Sequence, residues 1–181
     1  MHGASFTHNP AWLTIKWLAS FFMLAFFSMQ SSASDSLPKG RDYPVEHIYS
    51  GKPAEHLDRS DEFTNMFRTR FKEAIQGDVV FAGEYARVGW GCGGSGCNTT
   101  AFINKRTGRA LNHSFMVYYV GDDENPTPVG EEILYINKNS RLLVTYETDD
   151  TPDSSFYNYY ALNKNALTLI RKVKDTNTKV P

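Results

Sequence analysis

The sequence predicts an α+β fold, with one amphipathic helix packed on an antiparallel β-meander, and three observations predict it. Apolar residues recur at three- and four-residue intervals within residues 60–77, which is the spacing of one helical face. The chain that follows is rich in Val, Tyr, Phe, Ile and Thr in short runs separated by turn residues, a pattern typical of strands joined by hairpins. Three later segments share an Asn-Lys turn between two such runs. A single sheet, a sandwich and a small barrel are all compatible with this pattern.

The first element along the chain is a segment typical of a cleavable signal peptide. Residues 1–33 contain no Asp, Glu or Arg, and their one lysine, Lys16, precedes an apolar run that ends at Met29. This run is shorter than the roughly 20 apolar residues that span a bilayer. Ser31 and Ala33 form a small-x-small cleavage pattern. We therefore expect cleavage after Ala33, a periplasmic or secreted product, and no membrane association once the leader is removed.

The mature chain is expected to form one domain between two irregular segments. Residues 34–57 contain three prolines and two glycines and show no lasting period, which predicts an extended N-terminal arm. Residues 58–174 are expected to form the single α+β domain. Residues 175–181 are expected to be a flexible tail.

Within the domain, local signals mark the ends of the helix and the tips of the hairpins. Ser60 is the expected N-cap, and Gly77 suits the left-handed position after the last helical turn. The apolar face of this helix comprises Phe63, Met66, Phe67, Phe71, Ala74 and Ile75. Asn tolerates positive φ and its side chain closes turns on its own backbone. The expected hairpin tips are accordingly Asn104, Asn137 and Asn163.

Charge and metal-ligand patterns exclude several classes of function. The chain has 19 basic and 20 acidic residues and no run of Lys and Arg, whereas nucleic-acid binding depends on a clustered basic surface. The mature histidines, His47, His56 and His113, show no spacing that makes three or four zinc ligands converge. The acidic loops lack the regular ligand spacing and central glycine of a calcium loop. No metal and no cofactor are expected.

The most unusual stretch is residues 89–97, which hold five glycines, the only tryptophan of the mature chain and both cysteines. Export delivers the cysteines to an oxidising compartment, so a Cys92–Cys97 disulfide is expected. Closing so small a ring stabilises the fold by only about 2 kcal/mol, and its main effect is therefore local. A stapled glycine loop suits docking, with the candidate contacts Trp90, Gly93, Gly94 and Ser95. In the alternative reading, the disulfide merely tightens a wide hairpin and Trp90 fills the core.

Two acidic loops lie between predicted strands, at residues 122–126 and 147–153. If they share one edge of the sheet, Asp149 and Asp150 would attract a cationic partner and speed its association. Tyr157 follows the second loop and is a candidate contact, because tyrosine is enriched at protein interfaces.

A resemblance rests on residues 77–85 (GDVVFAGEY) and on the Trp-Gly-Cys-Gly run at Trp90, followed by a second cysteine. These residues resemble small exported bacterial proteins of unassigned function, in which an Asn-Phe-Ala-Gly-x-Tyr strand precedes a Trp-Gly-Cys-Gly-x-x-Cys loop. Here Val80 stands in place of the Asn, and one extra residue precedes Cys97. The similarity covers the helix through the second strand. It implies export and this fold, and it implies no activity.

These observations favour a non-enzymatic protein-binding module of the inhibitor or immunity-protein kind, with no catalytic residue. Its expected partner is another protein, a cationic cell-wall hydrolase or a toxin. The alternative is a thiol-disulfide redox protein or an enzyme acting through Cys92 and Cys97. Against it, thioredoxin-like pairs are Cys-x-x-Cys at a helix N-terminus, whereas four residues intervene here. A third hypothesis, a small-ligand carrier, would require a deep apolar pocket.

Overall fold

A computed structural model of the chain describes residues 2–3, 36–93, 96–121, 124, 126–149, 151 and 154–176. The predicted signal peptide lies outside these residues except for positions 2–3, as does the end of the predicted tail, residues 177–181. The chain divides into two units, Met1–Ser36 and Leu37–Pro181, and the fold given below is that of the second. No helix in the described part of the chain has the length and apolar character of a membrane span.

Seven strands form one antiparallel sheet in chain order, so the predicted β-meander is confirmed. Each strand pairs with the next one along the chain. The strands are β1 Tyr85–Gly91, β2 Asn98–Asn104, β3 Phe115–Val120, β4 Thr127–Asn137, β5 Ser140–Thr148, β6 Phe156–Asn163 and β7 Ala166–Lys174. Two short helices precede them, α1 Glu62–Met66 and α2 Arg68–Ala74.

The prediction of one continuous helix over residues 60–77 is wrong. The structure has two short helices, which are separated at Phe67. Phe67 has φ −105° and ψ 24°, outside the helical region, and its ring stacks on Trp90 with centroids 4.9 Å apart. Helical hydrogen bonds continue on both sides, from Phe67 N–H to Phe63 and from Phe71 N–H to Phe67. The N-cap is Asp61, whose carboxylate accepts the Thr64 N–H at 2.8 Å. Contact with the sheet thus overrides local helical periodicity.

The three Asn-Lys segments form turns at one end of the sheet, which we call the tip end. At two of them the asparagine side chain closes the turn: Asn104 accepts the N–H of Arg106 at 2.9 Å, and Asn137 accepts that of Asn139 at 2.8 Å. At the third, the positive φ falls on Lys164 rather than on the preceding asparagine.

The sheet curls, which gives it a concave face. The rings of Phe115 on β3 and Tyr160 on β6 lie 6.2 Å apart. Since neighbouring strands are about 4.8 Å apart, these two strands would be separated by roughly 14 Å in a flat sheet. The main core cluster fills this concave face: Phe81, Ala82, Tyr85, Phe102, Leu111, Phe115, Leu143 and Leu162. On the opposite face, the helices cover a second cluster: Phe71, Ile75, Ala86, Ala101, Ile103 and Ala110.

The predicted arm runs along the tip end and is hydrogen-bonded to it. Tyr49 N–H donates to the Gly83 carbonyl at 2.7 Å, and Asp58 N–H, just after the last residue of the arm, donates to the Gly108 carbonyl at 2.9 Å. Both glycines have positive φ, 76° and 70°, and a Cβ on either would collide with a carbonyl oxygen of the arm. The arm contains one short 3-10 helix, Gly40–Asp42.

Candidate functional site

Three connections leave the sheet at the end opposite the tips, which we call the loop end. They join β1 to β2, β3 to β4 and β5 to β6, and a meander places alternate connections at the same end. The Cys92–Cys97 segment is the first connection. Residues 121–126 and 149–155 are the other two, and they contain the acidic runs recognised in the sequence. Meander topology therefore puts at the same end of the sheet three connections that begin at residues 92, 121 and 149.

The first connection is closed by the Cys92–Cys97 disulfide. Cys92 N–H also donates to the Cys97 carbonyl at 3.3 Å. Gly93 and Gly96 have φ of 135° and 70°, values that favour glycine. Gly96 lies against the Tyr119 ring, since a Cβ there would be 3.4 Å from Cδ2. Gly94 and Ser95, two of the predicted contacts, lie outside the described residues.

Trp90 lies on the helix-covered face rather than in the stapled loop itself. Its ring stacks on Phe67 at 4.9 Å and meets Phe71 edge-on at 6.4 Å, and the side chain is half-buried. Its described contacts therefore join the helices to β1. This agrees with the alternative interpretation of the sequence, in which Trp90 fills the core.

Of the acidic rim residues, Asp149 lies at the loop end and is exposed. Hydrogen bonds from Ser154 and Thr151 hold the pKa of the Asp149 carboxyl below its usual range, so it is ionised at neutral pH. Asp150 lies outside the described residues. Tyr157 is half-buried, and its ring lies 5.0 Å from that of Tyr146. It packs against a third cluster, formed by Leu142, Val144 and Tyr159.

The sequence analysis missed the exposed apolar stretch of β3 that leads to the loop end. Four large side chains are exposed there: Met116, Tyr118, Tyr119 and Val120. The run FMVYYV is typical of a core strand, so no local signal distinguishes it. β3 pairs with β2 only through residues 98–100, and by strand alternation Met116, Tyr118 and Val120 lie on the face opposite Phe115 and the main core cluster.

A polar cluster on the concave face was also missed. Glu131 Oε1 accepts hydrogen bonds from Tyr160 Oη at 2.7 Å, from Asn158 Nδ2 at 3.2 Å and from Thr145 Oγ1. Asn158 Nδ2 also donates to Glu147 at 2.8 Å. These residues come from β4, β5 and β6, and only strand pairing shows that they meet.

Burial and neighbouring charge shift the titration of groups around this cluster. Burial lowers the pKa of His113, with Glu131 opposing it, so the ring is neutral at pH 7. Burial and the hydrogen bond to Glu131 raise the pKa of Tyr160 well above its usual range, so its hydroxyl stays a donor. Hydrogen bonds from Asn158 and Lys172 lower the pKa of Glu147. The side chain of Glu131 is thus held by three neutral donors, from Thr145, Asn158 and Tyr160.

Beside Glu131 is a cleft of about 90 Å³. It is lined by Arg87, Asn98, Thr100, Phe115, Val117, Tyr119, Glu131, Glu132 and Ile133. The volume of this cleft is far below the roughly 300–1,000 Å³ of drug-sized ligand sites, and its lining is largely polar, so this cleft is not the deep apolar pocket of the carrier hypothesis. Among the described side chains, no three of His, Cys, Asp or Glu converge as a metal site.

Comparison with protein-family models, with curated proteins and with solved structures gives no match for this chain.

Proposed function

We propose that this chain is an exported, non-enzymatic binding module that holds a cationic partner protein at its loop end. One observation carries the proposal: the disulfide-closed connection and both acidic connections leave the sheet at the same end. The steering role of the acidic loops requires that they share one edge of the sheet, and this topology supports it.

The charge of the loop end supports a cationic partner. Residues 121–126 and 149–155 contain six acidic residues and no basic one. The nearby basic residues belong to β7, where Lys172 is paired with Glu147 at 2.6 Å and Lys174 is exposed. An excess of one sign on exposed loops attracts an oppositely charged protein and raises its association rate.

The loop end also offers a rigid apolar contact. The disulfide restricts the first connection, and the ring of Tyr119 lies against Gly96 within it. Tyr119 is substantially exposed beside it, and Tyr118 is exposed on the other face of β3. Preordered aromatic side chains lose little entropy on binding, and tyrosine is enriched at interface hot spots. Charge would therefore direct the encounter, and these rings would supply contact area.

The compartment suggests the kind of partner. Export after cleavage at Ala33 would place the module beside wall hydrolases and exported toxins, many of which are basic, so we propose an inhibitor or immunity role. The sulfur pair lies between β1 and β2, away from the helix N-terminus that lowers the thiol pKa in thioredoxin-like pairs. That placement gives the redox alternative no support.

Site-specific photo-crosslinking in the native host tests the proposal. A photoreactive residue at Gly93 or Tyr119 should yield a covalent adduct with a basic exported protein, because both positions lie at the loop end. The matched controls are Lys138 and Asn165 at the tip end, which should yield none. Adducts from the tip end alone, or equal adducts from both ends, would refute the assignment of the binding surface.

Export has its own test. Intact mass spectrometry of the periplasmic protein should give a chain that begins at Ser34. The variant Ala33→Phe, which puts a large side chain at the cleavage position, should retain the leader. A full-length wild-type chain in the cytoplasm would overturn the proposed compartment, and with it the proposed partners.

A further inference from the structure

Glu131 is a preorganised carboxylate that lacks a cation. Three neutral donors from β5 and β6 hold its Oε1. Within the described part of the chain, no Lys, Arg or His forms an ion pair with it. The ring of His113, on which the charge of Glu131 acts, is neutral at pH 7 because burial lowers its pKa. A half-buried charge is normally matched by a partner, so this site favours an N–H donor carrying positive charge.

The side chain of Asn158, next to Glu131, also lacks a hydrogen-bonding partner. The side chain is only 2% exposed, and its Nδ2 donates to Glu131 and Glu147. Its Oδ1 is buried with no hydrogen-bond partner. A buried acceptor without a donor costs about 1–3 kcal/mol. Of these two hydrogen-bonded side chains, Glu131 therefore lacks a cationic partner and Asn158 lacks a donor for its Oδ1, and a primary ammonium brings three N–H donors with its positive charge.

Arg87 supplies the opposite charge in the same cleft. Its guanidinium Nη2 donates to Thr100 Oγ1 at 3.2 Å, which orients it. No carboxylate pairs with it among the described residues. Arginine is well suited to bind a carboxylate through two parallel hydrogen bonds. The cleft thus carries an unpaired cation and an unpaired anion, with Phe115 and Val117 between them on β3.

We infer that this cleft binds a small zwitterion of amino-acid size, with its ammonium group toward Glu131 and its carboxylate toward Arg87. The volume of about 90 Å³ limits the guest to a few non-hydrogen atoms. A simple cation would be opposed by Arg87, and a simple anion by Glu131 and Glu132, so only a ligand with both charges suits the whole lining. The cleft shares Tyr119 with the loop end, but neither of its two charged anchors, Arg87 and Glu131, belongs to the loop-end connections, so the two proposals fail separately.

Titration of the purified mature chain with zwitterions of increasing length tests this inference. The probes are glycine, β-alanine and 4-aminobutyrate, with methylammonium and acetate as single-charge controls, followed by calorimetry and by amide chemical shifts of β3 and β4. At least one zwitterion should bind saturably, and the controls should bind far more weakly. Glu131→Gln and Arg87→Gln should each weaken binding by about tenfold or more, as expected for loss of a charge-assisted hydrogen bond.

The variants are chosen to keep the fold. Glutamine at position 131 retains an oxygen that can accept from Tyr160 and Asn158, and Arg87 is exposed, so its loss should leave the core intact. Glu55→Gln and Arg41→Gln, at exposed positions on the arm, are the matched controls and should bind as wild type. If Glu131→Gln unfolds, Arg87→Gln still decides the question.

Three results would overturn the inference. One is the absence of saturable binding by every zwitterion at millimolar concentrations. Another is methylammonium binding as tightly as the zwitterions, which would make the cleft a plain cation site. The third is unchanged zwitterion affinity in a folded Arg87→Gln variant.

Discussion

The hydroxyl of Thr64 accepts the backbone N–H of Ala110 at 2.8 Å, although the two residues are 46 positions apart. Thr64 is fully buried, and its hydroxyl donates to Asp61 at 2.6 Å. Asp61 in turn lies 3.0 Å from Arg109. One side chain in the first turn of α1 therefore joins the helix cap to the connection after β2, and it positions both helices on the sheet.

Replacing this hydroxyl should destabilise the domain. The variant Thr64→Val keeps the shape of the side chain but removes the acceptor of the Ala110 N–H. A buried N–H without an acceptor lowers the free energy of unfolding by about 1–3 kcal/mol. Urea unfolding followed by circular dichroism measures the loss. Thr64→Ser keeps the oxygen and should be clearly more stable than the valine variant. Equal stability of the two variants would show that the hydrogen bond contributes nothing.

Gly130 should not tolerate a side chain. Its φ is +118°, and an added Cβ would collide with the Met116 carbonyl oxygen on β3. We expect Gly130→Ala to lower the free energy of unfolding by more than about 1 kcal/mol. Gly89→Ala is the matched control in β1, because a Cβ there meets nothing closer than 3.5 Å. A harmless Gly130→Ala would mean that β4 does not approach β3 as closely as described.

The free energy of unfolding should depend on pH through the protonation of Glu84. Burial alone would raise the pKa of Glu84, but hydrogen bonds from Arg106 and Asn104 outweigh it and lower the pKa below its ordinary value of 4.5. As the pH falls below 4.5, the unfolded chain binds the proton first. The stabilisation, present above that pH, is therefore lost as the pH falls through the folded-state pKa.

Glu84→Gln removes this contribution. The variant should be less stable at neutral pH, by about 1 kcal/mol or less for a partly exposed ion pair, and its stability should fall less on acidification. Urea unfolding at several pH values gives the comparison. Glu55→Gln, at an exposed position, should follow the wild-type pH profile. A Glu84→Gln profile that parallels wild type would contradict the assignment.

Loss of the disulfide should affect binding more than folding. In Cys92→Ser with Cys97→Ser, we expect a loss of about 2 kcal/mol, because the closed ring is small. The fluorescence of Trp90 should be preserved, since its packing on Phe67 lies outside the ring. Partner binding should weaken, because the loop is no longer preordered. Unchanged binding, with electron transfer to a thiol partner lost, would instead favour the redox alternative.

Features that depend on neighbours in sequence were predictable. The strands after Gly77 and the turns at Asn104, Asn137 and Asn163 follow from local alternation and turn chemistry. The disulfide follows from two cysteines with only four residues between them. The helical periodicity was equally local, yet the stacking of Phe67 on Trp90, 23 residues later, interrupts the helix.

The sequence by itself determined the strand-rich segments and their turns, the stapled connection and the acidic composition of the loops, because each depends on residues close together in the chain; the order of the strands in the sheet came from the tertiary structure. Only the tertiary structure decided which of these meet. Antiparallel pairing puts the three connections at one end of the sheet, and the pairing of β3 with β2 is limited to residues 98–100. The same pairing surrounds Glu131 with donors 14 to 29 residues away. Such contacts depend on strand register and curvature, which no local pattern encodes.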